Sequence, residues 1–136
     1  MQQLAFDAVE SARDFGFKPD AYTEMAISEM ALSEEDRVLP LISRLSHQQD
    51  ERWLTCVNTP VIDKGMAAAA DIQAQQLLQV QAPARLDTAE VIKKALRSGR
   101  SHTVVGFCDE LTSVQREELR QCAELADCQC LVLTRQ

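Results

Sequence analysis

This 136-residue sequence lacks most of the features that announce catalysis or membrane insertion. It has no G-x-x-x-x-G-K-[ST] loop, in which backbone N–H groups and a lysine surround a nucleotide's phosphates. The nearest segment, Thr59-Pro60-Val61-Ile62-Asp63-Lys64-Gly65, sets its lysine ahead of its only glycine, and no Ser or Thr follows. Nucleotide binding is therefore not expected. No apolar run approaches the ~18 residues of a membrane span. Asp7, Glu10, Arg13 and Asp14 break up any signal-peptide core between Met1 and Phe17. No basic face stands apart from the acids, which argues against nucleic-acid binding through phosphates. The five cysteines (Cys56, Cys108, Cys122, Cys128, Cys130) are odd in number, and no secretory segment precedes them. They read as small buried hydrophobes in a reducing cytoplasm. Cys128 and Cys130 share one face of a strand. A C-x-C pair with no second pair and no nearby histidine is a weak redox or metal signal, so core packing is the expected role. Neither a metal nor a cofactor is expected.

What the chain does have is enough apolar material for one folded unit. Its hydrophobic fraction is 46%, and at this length roughly two-thirds of the unfolded surface is buried on folding. The net charge of -7 is uneven: residues 1–36 hold nine acids against two bases, and residues 37–136 hold twelve of each. The acidity belongs to an N-terminal arm, taken as residues 1–32 and partly extended, ahead of a domain over residues 33–136. An edge strand is expected within Thr23–Met30.

From Ser33 the pattern alternates. Ser33 and Asp36 have capping-box spacing before a helical stripe of Val38, Leu41, Ile42 and Leu45. His47 falls in the last turn of that helix as a solvated residue. Arg52–Val57 reads as a strand, and Asp63 caps a short helix through Met66 to Ala70. Leu77–Val80 is a second strand. Asp87 caps a helix carrying Val91, Ile92, Ala95 and Leu96, which stops at Gly99 in a left-handed cap. Thr103–Cys108 is a third strand. Thr112 caps a helix to Ala126 whose apolar side is Leu119, Cys122, Ala123 and Leu125, and Cys130–Leu133 is the last strand. Continuous apolar strands alternating with helices predict an α/β fold, a mainly parallel sheet flanked by helices on both faces. Its crossovers should be right-handed.

Few residues in this frame invite chemistry. Asp109-Glu110 ends a strand and reads as a solvated turn, with a general base as the alternative. His102 sits at the other end of that strand, roughly five residues away at ~3.3 Å each, out of reach of such a base. Arg52-Trp53 admits two readings. Either Trp53 packs in the core while Arg52 starts the strand in solvent, or Arg52 anchors an acidic partner loop. Met66 is a core filler or an adaptable exposed contact. Arg97 and Arg100 flank the Gly99 turn. With no nucleophile or metal cluster, recognition is favoured over catalysis.

The segments RWLTCVNTP, LLQVQA, ALRSGRSHTVVGF and ELTSVQREELRQCAEL, in that order, resemble the SulA cell-division inhibitor family, from about Val38 to Leu133. The resemblance implies a trimmed RecA-like three-layer fold without a nucleotide site. It also implies induction in the SOS response to DNA damage and binding to the tubulin-like GTPase FtsZ, so that septation halts. It implies a homodimer and turnover by the Lon protease. In enteric members a long C-terminal tail delivers the protein to Lon, whereas here Gln136 directly follows the last expected strand. By position, Arg52 and Val57 match family residues implicated in inhibition. Met66 stands where enteric members have tryptophan, Gln76 where they have lysine, and Phe107 where tryptophan is usual. The FtsZ-binding set expected from residues and resemblance together is Arg52, Val57, Lys64, Met66, Gln76, Arg97 and Arg100. Two other classes remain: a nucleotide-free RecA-like adaptor for a DNA-repair protein, and a small enzyme acting at Asp109-Glu110.

Overall fold

A computed structural model describes residues 21–27 and 34–135. The expected Ser33 cap and most of the acidic arm lie outside them. The elements run β1 (Tyr22–Ile27), α1 (Glu34–Ser46), β2 (Trp53–Val57), α2 (Lys64–Ala69), a 3-10 turn (Ala74–Gln76), β3 (Leu77–Val80), α3 (Thr88–Arg97), β4 (Ser101–Phe107), α4 (Ser113–Ala126) and β5 (Gln129–Arg135). The strands form one five-stranded sheet in the order β1-β5-β4-β2-β3, and every pairing is parallel. β1 lies within the stretch expected to be an arm, so the sheet extends past that boundary.

The helices α2, α3 and α4 each start where a side chain takes up orphan N–H groups. The Asp63 carboxylate accepts from Met66 N at 2.8 Å, and that of Asp87 from Ala89 N at 3.1 Å. Thr112 and Gln115 form a reciprocal capping box. At the far end of α3, Gly99 takes φ +70°, the left-handed conformation that lets the chain turn straight into β4.

The core is two-sided. Val38, Leu41, Ile42 and Leu45 of α1 and Ala67 of α2 pack with Leu54, Cys56, Val105 and Leu133 on one face of the sheet. Ile92 and Leu96 of α3 and Leu119, Cys122 and Ala123 of α4 pack with Val57, Val104, Cys130 and Val132 on the other. From β1 to β3 the chain moves one way along the sheet, with its helices on the first face. From β3 to β5 it moves back, with its helices on the second. Direction and covering face switch together, so all the crossovers share one hand.

One glycine is demanded by packing. A Cβ at Gly106 in β4 would lie 2.5 Å from Ile92 Cδ1 and 2.9 Å from its Cγ1. The bare backbone is what lets α3 settle onto the middle of the sheet. All five cysteines are buried and unpaired, as expected of core residues. Two apolar expectations fail. Leu125 faces solvent at 89% exposure, and Trp53, expected in the core on one reading, is 40% exposed. Leu125 points away from the stripe of Leu119, Cys122, Ala123 and Ala126 that packs on the sheet, and Trp53 is the first residue of its strand.

Candidate partner-binding surface

In a parallel sheet, ligands usually bind beyond the carboxyl ends of the strands, where neighbouring connections diverge. That point lies here between β2 and β4, whose chains leave toward opposite edges. Three acids and the exposed Lys64 surround it. The loop after β2 ends in the Asp63 carboxylate, which already caps α2, and the loop after β4 carries Asp109 and Glu110, both exposed. His102 is buried near the opposite end of β4, as its spacing from Asp109 requires. A register shift of β4 against β2 occurs beside it, and its Nδ1 lies 2.9 Å from Thr103 Oγ1.

The opposite, amino edge gathers four of the seven expected residues. Arg52 precedes β2, and its guanidinium is a strut. Nε and NH2 donate to the Asp50 carboxylate at 3.1 and 2.9 Å, and NH1 donates to Asp127 O, at the C-terminal cap of α4, at 2.9 Å. The hydrogen bonds from Arg52 hold the Asp50 carboxyl down at about 2, and the same pairing raises Arg52 further above its ordinary value. Arg52 thus joins the start of β2 to the end of α4, a role that neither sequence reading contained.

Gln76, just before β3, is exposed and donates from Nε2 to Glu51 O at 2.6 Å. Arg100, just before β4, accepts from Trp53 N–H at 2.8 Å through its carbonyl. Arg97 ends α3 on the same edge. The guanidinium groups of Arg97 and Arg100 are exposed and form no ion pair among the described residues, and the same holds for Lys94. Its neighbour Lys93, in contrast, is paired with Glu90 and Glu118 at 2.9 and 3.1 Å. Lys94, Arg97 and Arg100 therefore make a basic ridge beside the exposed Trp53. Lys94 was missed, although the three-residue spacing of Lys94, Arg97 and Arg100 is visible in the chain. By the end of α1 opens a polar cleft of about 390 Å³, lined by residues that include His47, Gln73, Gln76 and His102 over Leu54.

The other three expected residues lie elsewhere. Lys64 and Met66 sit on α2 beyond the carboxyl end of β2, roughly a strand length (~16 Å) from the ridge. Lys64 is exposed, while Met66 is half-buried against the core. Val57 has no exposed surface and lies between β3 and β4, so it reaches a partner only through packing.

Comparison with known proteins agrees with this architecture. The family model for the cell division inhibitor SulA matches residues 23–129. The cell division inhibitor SulA of Pseudomonas aeruginosa is 30% identical over 130 residues, covering 94% of this chain and 81% of that protein. The SulA of Serratia marcescens is 28% identical over 116 residues, covering 84% of this chain and 67% of its own. The crystal structure of SulA from Pseudomonas aeruginosa superposes with a TM-score of 0.73 at 28% identity, over 87% of this chain and all of the other. A family model over most of the sequence, joined to a matching fold, establishes that this chain belongs to the SulA cell division inhibitor family.

Proposed function

We propose that this protein halts cell division after DNA damage by binding FtsZ and blocking its polymerisation sterically, without catalysis. Family membership supports the division-inhibitor part. The choice of FtsZ rests on the resemblance of the named segments. The observation that carries the surface is the exposed Trp53 at the same edge as Lys94, Arg97 and Arg100, which form no ion pair among the described residues, in a chain whose net charge is -7. Tryptophan and arginine dominate interface hot spots, and a basic ridge on an acidic protein selects an acidic partner face. A cap of this kind acts one molecule per polymer end or free subunit, so its strength follows its dissociation constant. Two copies acting together, as the resemblance implies, would occupy two FtsZ subunits.

The test is titration of cognate FtsZ with wild-type protein and with an Arg97→Glu/Arg100→Glu variant. The double variant should bind at least tenfold more weakly at physiological salt and melt near the wild-type temperature. Lys64→Glu should bind within twofold of wild type. Equal binding by the wild type and the double variant would remove the ridge from the interface. A loss caused by Lys64→Glu alone would move the interface to α2.

A further inference from the structure

Residues 72–84 form the longest run without a charged side chain in the sequence, thirteen residues, and five of them are glutamine. Three of the five are spent inside the fold, each on the backbone of a segment that flanks β2. Gln76 Nε2 donates to Glu51 O at 2.6 Å, ahead of the strand. Gln81 Nε2 donates to Thr59 O at 3.0 Å, beyond it. Gln79 takes both backbone groups of Ile62, accepting from its N–H at 2.8 Å and donating to its carbonyl at 2.9 Å. A carboxamide suits this work because it is neutral and carries donors and an acceptor together, as a peptide group does. The other two, Gln73 and Gln75, line the polar cleft by the end of α1, where Gln48 joins them. The side chains of Gln48, Gln73 and Gln75 make no hydrogen bond among the described residues.

The walls of that cleft are held in place. Ser43 Oγ and His47 Nε2 both donate to Asp71 O, at 2.9 and 2.8 Å, and Gln73 N–H donates to Ser46 Oγ at 3.0 Å. These bonds tie the turn that leads into Gln73 and Gln75 to α1, which lowers the cost of ordering it around a ligand. On the other side, Trp53 pairs with Ser101 and Leu54 with Thr103, so His102 is one residue more than β2 can match. A bulge of this kind re-aims a side chain, and His102 lines the cleft with its Nδ1 2.9 Å from Thr103 Oγ1. Among the described residues no Asp, Glu, Lys or Arg lines the cleft, and its volume of about 390 Å³ lies within the ~300–1,000 Å³ of ligand clefts. Leu54 in its wall follows Trp53, and His102 comes two residues after Arg100, so the cleft opens on the edge that carries the ridge.

We propose that this cleft takes the main chain of an extended FtsZ loop, whose peptide groups bond to Gln48, Gln73 and Gln75 as those of this chain bond to Gln76, Gln79 and Gln81. The inference rests on the capping reading and adds an uncharged half to its interface. The ridge selects an acidic face; the cleft holds a backbone whatever side chains it bears. A lining without charge gives no preference to a charged group, and a peptide group matches it donor for acceptor. The two halves respond differently to salt, because screening weakens charge pairs and leaves neutral hydrogen bonds in place.

The test is the affinity of the full chain for cognate FtsZ at low and at high salt, with hydrogen exchange of the complex. Gln73→Ala/Gln75→Ala should melt near wild type, since both residues are exposed. It should bind about tenfold more weakly, by the same factor at either salt. The loss in Arg97→Glu/Arg100→Glu should shrink as salt rises. Gln121→Ala, at an exposed glutamine of α4, should bind like wild type. In the wild-type complex, residues 72–77 and one FtsZ loop should exchange more slowly than in the free proteins. If the double glutamine variant melts low, this wild-type exchange decides alone. Wild-type affinity in that variant, or unchanged exchange at residues 72–77, would overturn the cleft contact and keep capping by the ridge. A loss that fades with salt as the ridge's does would overturn the peptide-group chemistry. A wild type that does not bind FtsZ would overturn the capping reading and this inference with it.

Discussion

Arg52 shows how a residue picked for recognition can also hold the fold together. Its fork grips Asp50 and the carbonyls that end α4, with the two side chains 30% and 28% exposed. Arg52→Ala strands those acceptors and should cost about 1–2 kcal/mol, read as a lower denaturant midpoint at unchanged slope. The pH dependence has a definite sign. Asp50 has its carboxyl lowered from 3.8 to about 2 in the folded state. The stability from that pair is therefore present above pH ~4 and lost as pH falls from ~4 toward ~2, about 1–2 kcal/mol after solvent screening. An acid titration of the melting temperature should show this loss in the wild type and a flatter curve in Arg52→Ala. Gly106 is the other telling residue. Gly106→Ala drives a methyl group into the fully buried Ile92 and should destabilise by about 1–3 kcal/mol. A thermal melt checks it: an unchanged midpoint would mean that α3 can lift off the sheet freely.

At the scale of elements, the chain was readable where local chemistry decides structure. Asp63, Asp87 and Thr112 cap the helices expected of them, and Gly99 stops α3 where its spacing requires. Leu77–Val80 is a strand with the expected bounds. Ser101 and His102 were not assigned to β4 because polar residues mask a strand start that pairing with β2 imposes. Leu125 was read as part of the apolar side of α4, but the stripe that packs on the core is Leu119, Cys122, Ala123 and Ala126, and helical spacing puts Leu125 off it. The strand order was not legible either, since it depends on which pairings win across the whole chain. Among the candidate site residues, the spacing of Lys94, Arg97 and Arg100 was there to be read. What the sequence did not carry is that Trp53 is exposed, that Arg52 reaches Asp127, and that Lys64 and Met66 lie at the other end of the sheet.

The whole molecule is a sheet covered on both faces, with Asp63, Lys64, Asp109 and Glu110 around its usual ligand-binding point and Lys94, Arg97 and Arg100 toward its opposite edge. No helix among the described residues is long and apolar enough to cross a membrane. Burial pushes the Cys56 and Cys128 thiols up to about 12 and raises Cys108 and Cys130 as well. Thiol labelling at neutral pH should therefore be slow in the native protein and track the global unfolding rate across a denaturant series. Fast labelling of one or two thiols would point to an open site that the packing excludes. The most direct measurement of the functional account is the critical concentration of cognate FtsZ with GTP, followed by pelleting against rising amounts of this protein. It is predicted to climb in proportion to the inhibitor added, roughly one subunit withheld per copy once the protein exceeds its dissociation constant. A critical concentration that stays flat at equimolar protein would contradict the proposal that this chain works by capping FtsZ.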